Sequence, residues 1–470
     1  MDNFLYQQLA DKVSGWIEQR TLLPGEKIPS VRTLSQRENV SLGTVLQAYI
    51  LLENRGIIEA RPQSGYYVRL QTRELPPEPS ISRPSISASI VGSAEVIARI
   101  HEANAQPDVI PLGGAVPGPE LLPTHRLNRI MASVARHTTG QQHLYADRQG
   151  VGILRHQIAR RSVNWGGALR PDEIVITNGG TEAIYLCLCA VAEMGDTIAV
   201  ESPTYYGFLQ MIEALGMKAL EIPSDSRDGM DLTALKNALH KNQVKACLVI
   251  SNFNNPLGSC MPISRKKQLV ELLEKNKVAL IEDDIYGDLY FTAERPEVCK
   301  NFDKYGNVLL CSSFSKVLSP SYRVGWVAPG QYLNQIKKLK FTTTSSSPFP
   351  TQATIAEMLK SGGYDRHLRR IRKAYSLQVH NMMQAIRKYF PEGTRCTRPR
   401  GGFVLWVEFP STIDSMELHR RAMKEKISIV PGPLFSARGR YKNFIRLNCS
   451  HPWSDKIEQA LIMLGKLAAR

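Results

Sequence analysis

Apolar residues Leu5, Leu9, Val13, Trp16 and Ile17 recur at helical spacing, so the chain opens on an amphipathic helix. Pro24-Gly25 turns the chain, and Ser30 is placed to cap a second helix from Val31 to Glu38. A tight turn, Asn39-Val40-Ser41, leads to a third helix from Leu42 to Asn54, again serine-capped and stopped by Gly56. Ile57 to Ala60 and Tyr66 to Val68 flank a turn over Arg61–Gly65 and predict a hairpin. Three helices and a hairpin within residues 1–70 make the pattern of a winged helix-turn-helix.

The pattern changes after residue 70. Residues 71–106 hold Leu75-Pro76-Pro77-Glu78-Pro79-Ser80 and a Ser/Ile mixture, which predict an extended linker, with a short helix from Val91 to Ala103. From about Pro107 to Arg470, short apolar runs alternate with amphipathic stretches. Strands are predicted at 174–178, 197–200, 219–222, 246–250, 278–282 and 308–311, with helices over 181–192, 206–215, 232–240 and 265–274 between them. Such runs predict an α/β domain with a mostly parallel sheet covered on both faces, whose ligands gather where strands end and helices begin.

Composition adds less. At 470 residues the chain needs more than one core. No apolar run reaches membrane-spanning length, no signal segment precedes Ala10, and a cytoplasmic protein is expected. The eight cysteines form no Cys-x-x-Cys pair, which favours buried free thiols over a metal site or disulfides. The formal charge of +16 suits a polyanionic partner. Yet residues 1–70 carry eight Lys/Arg against seven Asp/Glu, so most of the excess lies beyond the winged helix. One basic run, Arg366 to Lys373, reads as a solvated helix face, with an auxiliary DNA contact as the alternative.

The first segment resembles the GntR regulator family. The match runs through Leu23-Pro24-Gly25-Glu26-Lys27-Ile28-Pro29-Ser30-x-Arg32-x-Leu34-Ser35, then Val40-Ser41-x-x-Thr44-Val45, and ends in Arg61-x-x-Ser64-Gly65-x-Tyr67-Val68. The resemblance implies that Arg32, Ser41, Thr44 and the wing residues Arg61, Ser64 and Gly65 touch double-stranded DNA. Gln47, one turn along the third helix, can read adenine. Leu42 and Leu46 stand where many relatives carry arginine.

Motifs with chemical potential sit at the predicted strand ends. Ser313-Phe314-Ser315-Lys316 and Arg323 combine hydroxyls, an amine and a guanidinium suited to a phosphate dianion and an aldehyde. A carboxylate of Glu282-Asp283-Asp284 can pair with a protonated pyridine nitrogen, Asn255 can bind a ring hydroxyl, and Tyr205 can stack on a flat ring. Gly180 and Thr181 open a helix, an anion cradle. Each motif alone is ordinary loop chemistry; their order is not. Residues 107–470 resemble a fold-type I aminotransferase, which implies a small subdomain mainly over 390–470. The resemblance implies pyridoxal 5′-phosphate as cofactor, with Lys316 as the Schiff-base lysine and Asp283 as the pyridinium partner. It implies Asn255 and Tyr286 on the phenolic oxygen, Tyr205 on the ring, and Gly180, Thr181, Ser313, Ser315 and Arg323 on the phosphate. Tyr145 would reach the partner subunit's phosphate, Arg446 would bind a substrate carboxylate, and Gly114 would lie in the loop approaching the substrate.

A winged helix-turn-helix joined to such a domain resembles the MocR subgroup of GntR regulators. That implies a homodimer, arranged head to tail, in which the large domain senses pyridoxal phosphate or an amino compound through a Schiff base at Lys316. The rivals are a working aminotransferase with an attached DNA-binding head, and a regulator that keeps the large domain only as a scaffold.

Overall fold

The computed structural model describes residues 4–19, 21–61, 64–69, 75–81, 84, 87–89 and 108–470. The helix expected over 91–103 lies outside the described residues. The chain divides into two compact units, Met1–Leu75 and Pro76–Arg470.

The first unit follows its hydrophobic pattern. Helices Leu5–Glu18, Val31–Glu38 and Leu42–Asn54 precede an antiparallel hairpin of Ile58–Arg61 and Gly65–Val68. Leu9, Val13, Leu34, Val45, Tyr49 and Leu52 bury their apolar faces in one small core. Both predicted caps form: Ser30 Oγ accepts from the Thr33 amide at 3.1 Å and Ser41 Oγ from the Thr44 amide at 3.0 Å. Asn39 takes φ of 52°, the left-handed conformation that turns the chain between the second and third helices.

The second unit is built on an eight-stranded sheet. Its spatial order is Val175–Thr177, Gly325–Ala328, Val308–Ser313, Ala279–Asp283, Val244–Val249, Thr197–Ser202, Lys218–Asp225 and Gly229–Met230. The four pairings from Val308–Ser313 through to Lys218–Asp225 are parallel, while Gly325–Ala328 runs antiparallel to both its neighbours. That returning strand is absent from the predicted strands because its Gly-Trp-Val-Ala is too short to show a period. Successive residues point to opposite faces, and both faces are covered. Ile198, Val200, Ala246, Leu248 and Ile281 belong to one buried cluster, whereas Ala199, Cys247, Val249 and Leu280 belong to another.

A second, four-stranded antiparallel sheet contains Arg395–Cys396, Val404–Glu408, Phe444–Asn448 and Val430–Pro431. A short parallel pairing of Ile110–Pro111 with Ile427–Ser428 ties the start of the unit to this smaller part. Helix Gly363–Tyr389 carries the basic run. Arg366, Arg369, Arg370 and Lys373 are exposed, but His367, Leu368 and Ile371 are buried. Arg372 is drawn in, donating to the Asp288 carbonyl at 2.7 Å with its guanidinium 3.6 Å from the centre of the Tyr290 ring.

Residues 76–81 lie against the second unit as an extended strap. The Pro76 carbonyl accepts from Arg398 and the Pro77 carbonyl from the Cys396 amide, both at 2.9 Å. Ser80 donates to Glu408 through its amide at 2.8 Å and its hydroxyl at 2.7 Å. Cys396 and Glu408 belong to the small sheet, and Arg398 lies in the segment joining its first two strands. Between Pro77 and Ser80, Glu78 pairs with Arg227 at 2.6 Å, in the turn that ends the large sheet. Further on, Ser89 exchanges both backbone hydrogen bonds with Ala219 of the large sheet, at 2.9 and 3.0 Å. The strap therefore spans the two sheets.

Candidate active site

Parallel strands deliver their ends to one side of a sheet. Thr177, Ser202, Val249, Asp283 and Ser313 end such strands here, and the loops after them carry Gly180, Tyr205, Asn255, Tyr286 and Lys316. The antiparallel strand starts at Gly325, opposite Ser313, so it returns Arg323 to the same edge.

Lys316 is the centre of this cluster. Its Nζ donates to the Ala115 carbonyl at 2.6 Å. Burial, then the positive charge of Arg446, pull its amine down to about 8; Arg323 acts in the same direction and Asp283 against it. A lysine so shifted is a usable nucleophile near neutral pH. Asp283 is buried, and burial pushes its carboxyl up to about 7, helped by the neighbouring charges of Asp284 and Glu282. The Ile285 amide, donating to Asp283 at 3.1 Å, and Lys316 oppose that rise. A cationic nitrogen arriving beside Asp283 would bring its carboxyl back down.

Burial raises the phenols of Tyr205 and Tyr286 well above their ordinary value, and neighbouring Tyr206 and Asp283 add to the rise of both. Asn255 hydrogen-bonds Tyr286 and also accepts from Arg446 at 3.1 Å. Arg446 is fully buried on the strand Phe444–Asn448, its guanidinium 5.7 and 5.3 Å from the ring centres of Tyr206 and Phe435. It also donates to the Gly113 carbonyl. Gly113, not its neighbour Gly114, is thus the residue of that loop that meets Arg446.

The remaining groups make an anion cradle. Gly180 and Thr181 begin helix Gly180–Val191, whose first amides have no partner within the helix. Arg323 donates to the Asn178 carbonyl at 3.0 Å and holds φ of 50°. A side chain on Gly179 would run into the Arg323 guanidinium, and one on Gly325 into the backbone of Gly179. Only glycine lets the helix start, the arginine and the returning strand approach so closely. Ser313 Oγ accepts from the Ser315 amide at 3.3 Å, whereas Ser315 Oγ is buried with no partner among the described residues. An orphaned buried hydroxyl beside a helix start and a guanidinium fits a phosphate.

Two supports had no signal in the sequence. Glu182 accepts from the Thr344 hydroxyl at 2.7 Å and from the fully buried Lys340 at 3.2 Å, and also takes the Asn178 amide. Glu201 accepts from the Ile250 amide at 2.9 Å and from Asn254 at 2.7 Å, next to Asn255. Tyr145 is not brought to the cluster within one chain; it is 90% exposed.

In the first unit, Arg32 and Gln47 are exposed. Ser41 and Thr44 are joined hydroxyl to hydroxyl at 2.8 Å as part of the cap. Arg61 donates to Glu59 at 2.6 and 2.8 Å and lies 4.3 Å from the centre of the Tyr67 ring. Ser64 bonds the Tyr67 hydroxyl at 2.7 Å, and Gly65 takes φ of 102° at the wing's turn.

Comparison with known proteins agrees with both halves. Residues 5–68 match the bacterial regulatory proteins of the gntR family, and residues 117–463 match aminotransferase class I and II. The chain is 40% identical to the uncharacterized HTH-type transcriptional regulator YdcR of Escherichia coli, over 98% of each chain. The chain belongs to the GntR regulators of MocR architecture. A 2-aminoadipate transaminase of Thermus thermophilus is 30% identical over 79% of this chain and 93% of its own. The crystal structure of the α-aminoadipate aminotransferase LysN from the same organism, complexed with N-(5′-phosphopyridoxyl)-L-leucine, superposes with a TM-score of 0.72. It shares 28% identity, covering 81% of this chain and 98% of that one. The expected fold classes are therefore borne out: a winged helix-turn-helix, and a fold-type I aminotransferase domain whose family cofactor is pyridoxal phosphate. Among the described residues no helix is long and apolar enough to cross a membrane.

Proposed function

We propose that this MocR-type regulator binds pyridoxal phosphate at Lys316 and uses that site to sense an amino compound, changing how its winged helix holds DNA. The observation that carries the reading is Lys316, an amine lowered to about 8 beside Asp283 and Arg446 in a chain that also bears a GntR head. When bound, pyridoxal phosphate supplies an aldehyde that reacts with primary amines and a ring that withdraws electrons. Lys316 holds the aldehyde end, Asp283 the ring nitrogen, Asn255 and Tyr286 the phenolic oxygen, and Tyr205 covers the ring face. Gly180, Thr181, Ser313, Ser315 and Arg323 hold the phosphate. Arg446 takes the carboxylate of an arriving amino acid, with Gly113 and Gly114 closing over it.

The protein acts as a cytoplasmic homodimer, head to tail, in which Tyr145 reaches the partner subunit's phosphate. Arg32, Ser41, Thr44, Gln47, Arg61, Ser64 and Gly65 face DNA. Coupling runs through the strap of residues 76–81, which is bonded to both sheets of the sensing unit and leads toward the head.

Operator binding measured at fixed salt, with and without pyridoxal phosphate and then with amino acids added, tests the reading. Affinity should change with ligand, and Lys316→Ala should abolish both that change and the visible absorbance gained on cofactor binding. Equal affinity in every state would sink the sensing role. The intact set Lys316, Asp283 and Arg446 also favours a second reading, transamination. Sustained conversion of an amino acid and an α-keto acid would establish it; a single, arrested reaction would leave the sensor alone.

A further inference from the structure

The third helix of the head, Leu42–Asn54, contains no lysine or arginine. Its inner face is fully spent on the core, with Val45, Ala48, Tyr49 and Leu52 buried. Its outer face bears large apolar side chains one turn apart: Leu42 is 51% exposed, Leu46 43% and Ile50 46%. Gln47 is exposed on the same side. The hydroxyls at the helix start, Ser41 and Thr44, are tied to each other in the cap. Exposed cations flank this helix instead of sitting on it: Arg32 and Arg37 are on the preceding helix, and Arg61 is on the wing.

Base pairs differ in what they offer such a face. Guanine presents two acceptors in the major groove and is read mainly by arginine or lysine. Thymine presents a methyl group, which an apolar side chain can cover, and adenine presents the donor–acceptor pair that glutamine fits. Flanking guanidiniums suit phosphates, which position a protein without specifying sequence. Resting on the DNA-binding reading above, we infer that Leu42, Leu46 and Gln47 make this head a reader of A·T base pairs. The leucines cover thymine methyls and Gln47 bonds adenine. The face commits to the major groove because it is continuous with the capped helix start that a winged helix-turn-helix presents there.

The experiment uses the full-length protein. Duplexes are enriched from a randomised pool at fixed salt, and each thymine of the half-site is then replaced by deoxyuridine, which lacks only the methyl. One or two positions should weaken binding by about 3- to 5-fold, the worth of one buried methyl. Leu42→Ala and Leu46→Ala should each erase one of those penalties. Gln47→Ala should erase the loss caused by 7-deazaadenine, which lacks the N7 acceptor. A half-site dominated by guanine, or uracil replacements that cost nothing in the wild-type protein, would overturn the inference without needing any variant. So would a Leu46→Ala protein that keeps its sequence preference but loses self-association, since the stripe would then be a contact between copies. Enrichment of no duplex at all would defeat the DNA-binding reading itself, a result distinct from enrichment of the wrong bases.

Discussion

Arg446 donates to Asn255 Oδ1 at 3.1 Å, and among the described residues no carboxylate pairs with this fully buried guanidinium. Its positive charge is instead bordered by Tyr206, Phe435 and the Gly113 carbonyl. A buried cation with only neutral partners favours an arriving anion strongly. In Arg446→Gln, the concentration of L-alanine needed to perturb the bound cofactor's spectrum should rise about 100-fold, as expected on losing a buried charge partner. Ethylamine, which has no carboxylate, should act alike on both proteins. An equal loss for both amines would show that Arg446 merely shapes the pocket.

Capture of pyridoxal phosphate should depend on pH through Lys316. Its amine is protonated below about 8 and free above it. The rate of cofactor uptake, followed by stopped-flow absorbance, should therefore climb toward pH 8 and level off beyond it. A rate independent of pH between 6 and 9 would contradict the lowered amine.

Glu201 gives a test of stability. Burial pushes its carboxyl up to about 8, so the folded protein keeps a proton there that the unfolded chain releases near 4.5. Stability from this group is therefore lost as pH rises from 4.5 through 8. Glu201→Gln retains an acceptor for Ile250 and Asn254 but cannot ionise. The difference between its melting temperature and that of the wild type should move in the variant's favour as pH rises from 4.5 to about 8 and level off beyond, whereas a constant gap across the range would refute the assignment.

The strap offers a test of coupling. In a Glu78→Ala/Ser80→Ala protein, the bonds from these side chains to Arg227 and Glu408 are gone while the cofactor residues are untouched. The bound cofactor's spectrum should be unchanged, and the ligand-dependent difference in operator affinity should shrink. Retention of the full difference would move the coupling path elsewhere.

What could be read in the sequence was what is local. Asn255, Asp283, Lys316 and Arg323 each lie at or near a strand end, so an apolar run and the polar residues beside it place them together. The caps at Ser30 and Ser41 span three residues and were equally plain. Partners distant along the chain left no trace: Ala115 meets Lys316 from 201 residues away, and Gly113 meets Arg446 from 333 away. Proline content predicts the strap's extended backbone but reports nothing of the surface the segment lies on. The basic run concealed its buried side for a similar reason. His367, bonded to the Val317 carbonyl at 2.6 Å, sits beside the Lys316 loop amid exposed arginines.

The strand Gly325–Ala328 has a consequence for how the protein comes into being. Among the described residues it is the sole sheet partner of Val175–Thr177, the strand that leads into the helix start at Gly180, and it lies roughly 150 residues later in the chain. During synthesis that earlier strand must wait for its neighbour to emerge, whereas the head is complete within its first 68 residues. A nascent chain would therefore own a finished winged helix well before it owns a place for its cofactor.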